Sequence, residues 1–224
     1  MIGYSELPVE AFWGYWLTHV EQVRFGDGRR RVYELLRELV TDKDCFTLTS
    51  NVDALFARNG FDPERICSIQ GDFAFLQCLT PCSDALWPSR PVLDALLPTI
   101  DPATQSLRDA QLAPACPRYG GAMFFNVRGG NWVVEAPWRR QFAALREWLP
   151  SAPNERLLVL DIGSGFNTPG VVRWPMERTA AAIPTARLAR ISRMEAEIQV
   201  RLGERALSIA GGALEILELA STPT

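Results

Sequence analysis

The apolar residues Val32, Leu35, Leu36, Leu39 and Val40 fall at i, i+3, i+4, i+7 and i+8, and this stripe predicts an amphipathic helix over 30–40. After the polar break Thr41-Asp42-Lys43-Asp44, the run Cys45-Phe46-Thr47-Leu48-Thr49 is short and β-prone, which predicts a buried strand. Residues 50–59 read as a loop entering a short helix that stops at Gly60, and 65–69 as a second strand ending at Gln70-Gly71. A helix over 139–149 precedes Leu157-Leu158-Val159-Leu160, a continuous apolar run of the kind found in central parallel strands. Residues 186–191 and 206–209 follow as weaker strands, 212–220 as a closing helix, and 8–20 as an N-terminal helix. Between Cys78 and about Asn131 the pattern changes to Pro, spaced Cys and little periodicity, which marks an insertion.

Strands alternating with helices imply a parallel sheet with right-handed crossovers. The expected architecture is α/β: a Rossmann-like parallel sheet from 30–77 and 138–220, a small Cys-containing module at 78–136, and an N-terminal helical segment over 1–29.

Composition narrows the classes. The chain has 224 residues, 47% apolar and 22% charged, an ordinary globular profile with room for one large core. No apolar run approaches the roughly 20 residues needed to span a bilayer, so no membrane role is expected. With 23 basic against 26 acidic residues the net charge is -3, and Trp13, Trp16, Trp132, Trp138 and Trp148 are not interleaved with basic residues. No nucleic-acid partner is expected. Five cysteines, an odd number, behind an N-terminus without signal-peptide character predict a reducing cytoplasm, where clustered Cys read first as a metal site. Cys45 and Cys67 lie in apolar strands and read as small core residues. His19, the only histidine, sits on the N-terminal helix among aromatics and reads as a packing residue, so no histidine-based nucleophile site assembles.

Ligands of doubly wound folds sit at the carboxyl ends of strands. Three such ends carry chemistry: Thr49-Ser50-Asn51-Val52-Asp53-Ala54-Leu55, Gln70-Gly71-Asp72, and Gly163-Ser164-Gly165-Phe166-Asn167-Thr168-Pro169. Asn and Asp there hydrogen-bond ribose hydroxyls or a carboxamide, and a Gly-Ser-Gly loop lets backbone N–H groups approach a phosphate. Each alone is also an ordinary turn, with Asn51 and Asp53 capping the following helix.

Taken in order, these strings resemble the sirtuin family. Thr49-Ser50-Asn51-Val52-Asp53-Ala54-Leu55 is similar to its Thr-Gln-Asn-(Ile/Val)-Asp-x-Leu signature, and Gln70-Gly71 stands where sirtuins have His-Gly. Cys78-x3-Cys82 with Cys116-Pro-Arg-Tyr119-Gly resembles the family's zinc module, Gly163-Ser164 its NAD loop, and 206–218 its closing strand and helix. The correspondence runs in order from about Arg30 to Ala220. It implies NAD as cofactor, bound through Ser50, Asn51, Asp53, Gly163, Ser164, Asn167, Ser192 and Gly212, and catalysis by Asn51, Asp53 and Gln70. It also implies zinc on Cys78, Cys82 and Cys116, with a fourth ligand missing at Tyr119 because Tyr is a poor zinc ligand, which leaves three thiolates plus a water, the nearby Asp84 as fourth ligand, or no metal at all as the options.

The family's Gly-Ala-Gly-x-Ser and Gly-Ile-Pro-Asp-Phe-Arg strings do not occur in these residues. Their absence removes charge-assisted phosphate contacts worth about 1.5–3 kcal/mol each and predicts weak NAD binding by these residues alone. Gln70 cannot take a proton as the family's His does, which demotes deacylation. The Gln, the extended 163–169 string and Arg173-Trp-Pro-Met-Glu177 resemble most closely the macrodomain-associated branch of sirtuins. That resemblance implies transfer of ADP-ribose from NAD to a protein acceptor. The alternatives are a degenerate NAD- or ADP-ribose-binding or interaction domain, and, last, an NAD-dependent deacylase.

Overall fold

A computed structural model describes residues 7–80, 82–149 and 156–221. The described chain falls into two compact units, one drawn from 1–28, 51–58 and 70–140, the other from 29–50, 59–69 and 141–224.

The second of these carries the parallel strands. β1 (Thr47–Thr49) pairs in parallel with β2 (Ile66–Ser68). A three-stranded parallel sheet of β8 (Leu158–Ile162), β9 (Arg187–Ser192) and β10 (Ala206–Ala210) runs in the order β10-β9-β8. Side chains alternate across such a sheet, so Val159, Asp161, Leu188 and Arg190 share one face, and all four are buried. Helix α6 (Arg173–Ala182) contributes Ala180 and Met176 to the core around Val159, Ala186, Leu188 and Leu202. Helix α2 (Arg31–Val40) buries Leu35, as its stripe predicts. Helix α7 (Ala213–Ser221) buries Leu217. The α/β class with a parallel sheet is thus as expected.

The other unit differs from the sequence reading. β3 (Gly71–Cys78), a strand not read from the sequence and falling almost wholly in the 30–77 span assigned to the parallel sheet, pairs antiparallel with β7 (Met123–Val127) and with the short β4 (Trp87–Pro88). Every residue of β7 is buried, so no alternation of polar and apolar positions advertises it as a strand. Helix α1 (Val9–Val20) lays Trp13, Trp16, Leu17 and Val20 onto Phe73, Leu76, Phe124 and Phe125. The Trp16 and Phe124 rings meet edge to face, centroids 5.1 Å apart. Each such buried side chain contributes roughly 1.5–3 kcal/mol, and edge-to-face geometry adds to it. Gly14 on α1 is required by a close approach: a Cβ there would lie 2.1 Å from the Gln105 carbonyl oxygen, beside the hairpin of β5 (Ile100–Asp101) and β6 (Ser106–Leu107). His19 stacks on Tyr15 and meets Phe73 edge-on, the packing role expected of it.

Two helices have no periodic signal. α4 (Arg90–Leu96) and α6 each carry Pro in the first turn, where the missing N–H costs no hydrogen bond. The predicted helix over 139–149 is α5 (Ala136–Trp148), and α3 (Leu55–Arg58) is the short helix before Gly60. Among the described residues no helix is long and apolar enough to cross a membrane.

Candidate active site

Asn51, Val52 and Asp53 follow β1 directly. Asp53 Oδ1 accepts a hydrogen bond from the Leu55 amide at 2.9 Å, which turns the chain into α3, and Ala54 between them takes φ 54°. One oxygen of Asp53 therefore caps that helix. Val52 packs against the aromatic core, and its carbonyl accepts from the Phe73 amide at 3.1 Å, pinning this loop to the start of β3. Asn51 and Ser50 are exposed.

Gln70 immediately precedes β3, and its backbone carbonyl accepts from the Arg128 amide at 2.9 Å. Gly71 is obligatory here: it has φ 97°, and a Cβ would meet the Asn126 carbonyl oxygen at 2.1 Å. Asp72 is clamped by Arg24, Nε to Oδ1 at 2.7 Å and Nη2 to Oδ2 at 3.3 Å. Between these fixed backbone points the side-chain oxygen Oε1 of Gln70 is buried and has no hydrogen-bond partner among the described residues. A buried amide oxygen left unsatisfied costs about 1–3 kcal/mol.

In the other unit the Gly163-Ser164-Gly165 loop leaves the end of β8, with Gly163 at φ 75°. The Ser164 hydroxyl donates to Asp161 Oδ2 at 2.6 Å. Asp161 is in turn paired with Arg190, whose Nε reaches the same Oδ2 at 2.9 Å and whose Nη1 reaches Glu177 Oε1 at 2.6 Å. Arg173 staples the loop from behind, Nη1 donating to the carbonyls of Ser164 and Glu195 at 2.9 Å each, with its guanidinium 4.0 Å from the Phe166 ring centroid. Glu195 Oε2 accepts from the Phe166 amide at 2.9 Å. Ser192 ends β9, and its hydroxyl accepts from the Glu195 amide at 3.1 Å. Gly212 is buried, and a Cβ on it would lie 2.9 Å from Arg193 Nη2. Asn167 is exposed. The loop, Ser192, Glu195, Arg193 and Gly212 therefore lie at the carboxyl ends of β8, β9 and β10.

Asp161, Arg190 and Glu195 escaped the sequence reading, and Arg173 and Glu177 entered it only as the ends of a resembling string, without these roles. A signal existed for two of them: Asp161 and Arg190 are charges inside apolar strand runs, which are tolerated only in pairs.

Cys78, Cys82 and Cys116 come together, with sulfur atoms all within 4.8 Å of one another. The Arg118 amide points at Cys116 Sγ at 3.4 Å, the Gly120 amide returns to the Cys116 carbonyl at 2.7 Å, and Gly120 takes φ 76°. Burial raises Cys78 to about 12, with hydrogen bonds from Cys116 and Cys82 adding to it. Burial also pushes Cys116 up, but hydrogen bonds from Cys78 and from the Arg118 and Tyr119 amides outweigh it and leave this thiol below its ordinary range. The donor set and turn fit three of the four positions of a tetrahedral zinc site. Tyr119 does not supply the fourth: its hydroxyl donates to the Thr80 carbonyl at 3.0 Å. Cys67 is buried as expected, whereas Cys45, just before β1, is only half-buried.

No protein-family model matches the chain. It is 37% identical over 183 residues to a probable bifunctional ADP-ribose hydrolase/ADP-ribosyltransferase of Fusarium oxysporum f. sp. cubense, covering 79% of this chain and 30% of that protein. It is 28% identical over 149 residues to a protein ADP-ribosyltransferase of Staphylococcus aureus, covering 65% of this chain and 46% of that one. The chain thus spans less than half the length of either relative. Among solved structures, a Sir2 homologue variant in complex with ADP-ribose superposes with TM-score 0.57 at 15% identity, over 95% of this chain and 76% of that one. A structure concerned with sirtuin substrate affinity gives TM-score 0.54 at 16% identity, over 86% and 67%. The fold is sirtuin-like.

Proposed function

We propose that this chain takes part in NAD-dependent transfer of ADP-ribose to a protein side chain, in the manner of the macrodomain-associated sirtuins. The observation that carries this reading is Gln70. Its buried, unpartnered Oε1 accepts a hydrogen bond from a ribose hydroxyl or an incoming nucleophile but has no accessible pKa with which to remove the proton. The fold likeness and the two relatives' names support the same reading.

Roles follow from chemistry. Asn51 orients the nicotinamide carboxamide, and the Asp53 oxygen not engaged in capping faces the nicotinamide ribose. Gln70 holds the hydroxyl. Departure of nicotinamide builds positive charge on the ribose, so orientation and exclusion of water matter more than a base. Gly163 and Ser164 supply close backbone approach to a phosphate, Ser164 with its hydroxyl proton already committed to Asp161. Asn167, Ser192, Gly212 and Ser50 complete the nucleotide contacts in this reading.

One observation favours a second reading, a domain that binds nucleotide weakly or serves in protein interaction. The Glu195 carboxylate holds the Phe166 amide, a loop N–H that a phosphate would otherwise take. Incubation with acetyl-lysine peptides and NAD tests the role of Gln70: no deacetylated product above background is expected. Gln70→His alone is not expected to create deacylation, since a general base contributes about 10²- to 10⁴-fold and does not replace phosphate contacts. Robust deacetylation by the parent chain refutes the assignment.

A further inference from the structure

The thiol cluster has a property that its relation to a four-cysteine module does not supply. Cys78 and Cys82 sulfur atoms lie 3.5 Å apart, and Cys82 and Cys116 3.8 Å apart, so one ion in contact with all three needs little rearrangement. Among the described residues no His, Asp, Glu or further Cys joins them. Tyr119, where the second pair would place its partner, is 51% exposed and spends its hydroxyl on Thr80. Asp84 is two residues beyond Cys82 but lines a separate surface depression with Arg128, Glu135 and Arg139. Cys78 and Cys116 are buried while Cys82 is exposed, so the cluster has one face toward solvent.

We propose that Cys78, Cys82 and Cys116 hold one zinc-type divalent ion through three thiolates, and that its fourth position is open to exchange with a small soft or borderline donor, a thiol or an imidazole. Structural zinc sites are closed by four protein ligands, whereas three ligands and an exchangeable fourth are the arrangement of reactive sites. When bound, the ion staples the strand end at Cys78 to the turn at Cys116. The inference is independent of the nucleotide chemistry.

Cobalt loading of the reduced chain tests it, because thiolate-bound Co(II) reports its coordination shell in the visible spectrum. One Co(II) per chain is expected, with bands that shift when imidazole or 2-mercaptoethanol is added. Tyr119→Cys is expected to abolish that shift and to slow metal loss to a chelator at least roughly tenfold, the lower end of what even outer-shell partners of a metal site command. Cys116→Ser, checked for folding by circular dichroism, is expected to lose the ion. A stoichiometric Co(II) spectrum in the parent chain indifferent to both probes overturns the open position. Failure of the parent chain to bind Co(II) or zinc overturns the site itself. Both readouts on the parent chain stand even where Tyr119→Cys does not fold.

Discussion

Arg190→Leu is expected to be among the most damaging single changes outside the aromatic core. The guanidinium is fully buried and, among the described residues, is the sole ion-pair partner of two carboxylates that are themselves nearly inaccessible, Asp161 at 3% and Glu177 at 2% exposure. It also donates through Nη1 to the Glu197 carbonyl at 2.7 Å. Removing one partner of a buried ion pair leaves an uncompensated charge and costs about 3–5 kcal/mol. Taking about 4 kcal/mol, and roughly 2–4 °C per kcal/mol for a chain of this size, the melting temperature is expected to fall by roughly 8–16 °C. That is a large share of the roughly 5–15 kcal/mol typical of a whole domain, so Arg190→Lys, which keeps the charge and loses the fork, provides a milder companion. Replacing Asp161, Glu177 and Arg190 together by Leu removes all three charges and is expected to be far less harmful than Arg190→Leu alone. Urea unfolding followed by tryptophan fluorescence is the assay. A single-variant loss below about 1 kcal/mol, or a triple variant as unstable as the single one, refutes the reasoning.

Two further outcomes follow from buried groups. Burial pushes the Cys67 thiol up to about 11 from 9.0, so the thiol ionises more readily in the unfolded chain. Its contribution to stability is complete below pH 9 and is lost as pH rises toward 11, and Cys67→Ala is expected to flatten that part of the alkaline stability profile. Asn126 is fully buried, donates through Nδ2 to Gln77 Oε1 and, at 3.0 Å, to the Val134 carbonyl, and accepts from Trp138 Nε1 at 2.8 Å. Asn126→Ala strands several of these groups and is expected to cost about 2–4 kcal/mol in urea unfolding, one or two unsatisfied buried polar groups' worth.

The parallel strands and their helices were legible because their apolar residues keep a period: the α2 stripe and the run into Asp161 place those elements within one or two residues. β3 and β7 were not, since both bury residues on both faces and their polar members, Gln77 and Asn126, satisfy each other across the sheet. Pairing partners more than forty residues apart leave no local trace. The loops at Asn51 and Gly163, which follow β1 and β8, were readable from the sequence as strand ends. The support beneath the Gly-rich loop was not, because Arg173 acts through backbone carbonyls that any sequence possesses. The capping of the following helix, which the sequence offered for both Asn51 and Asp53, is seen at Asp53, whose Oδ1 accepts from the Leu55 amide.

The most direct test of the proposed chemistry is transfer of label from NAD carrying a radioactive ADP-ribose moiety to protein acceptors, with NAD at millimolar levels so that a weak site is also filled. Acetyl-lysine peptides are included in the same reaction. The account predicts protein-bound label that depends on the chain, disappears with Asn51→Ala while the fold is retained, and is accompanied by no deacetylated peptide. Deacetylated peptide without protein-bound label, or label unchanged by Asn51→Ala, contradicts it.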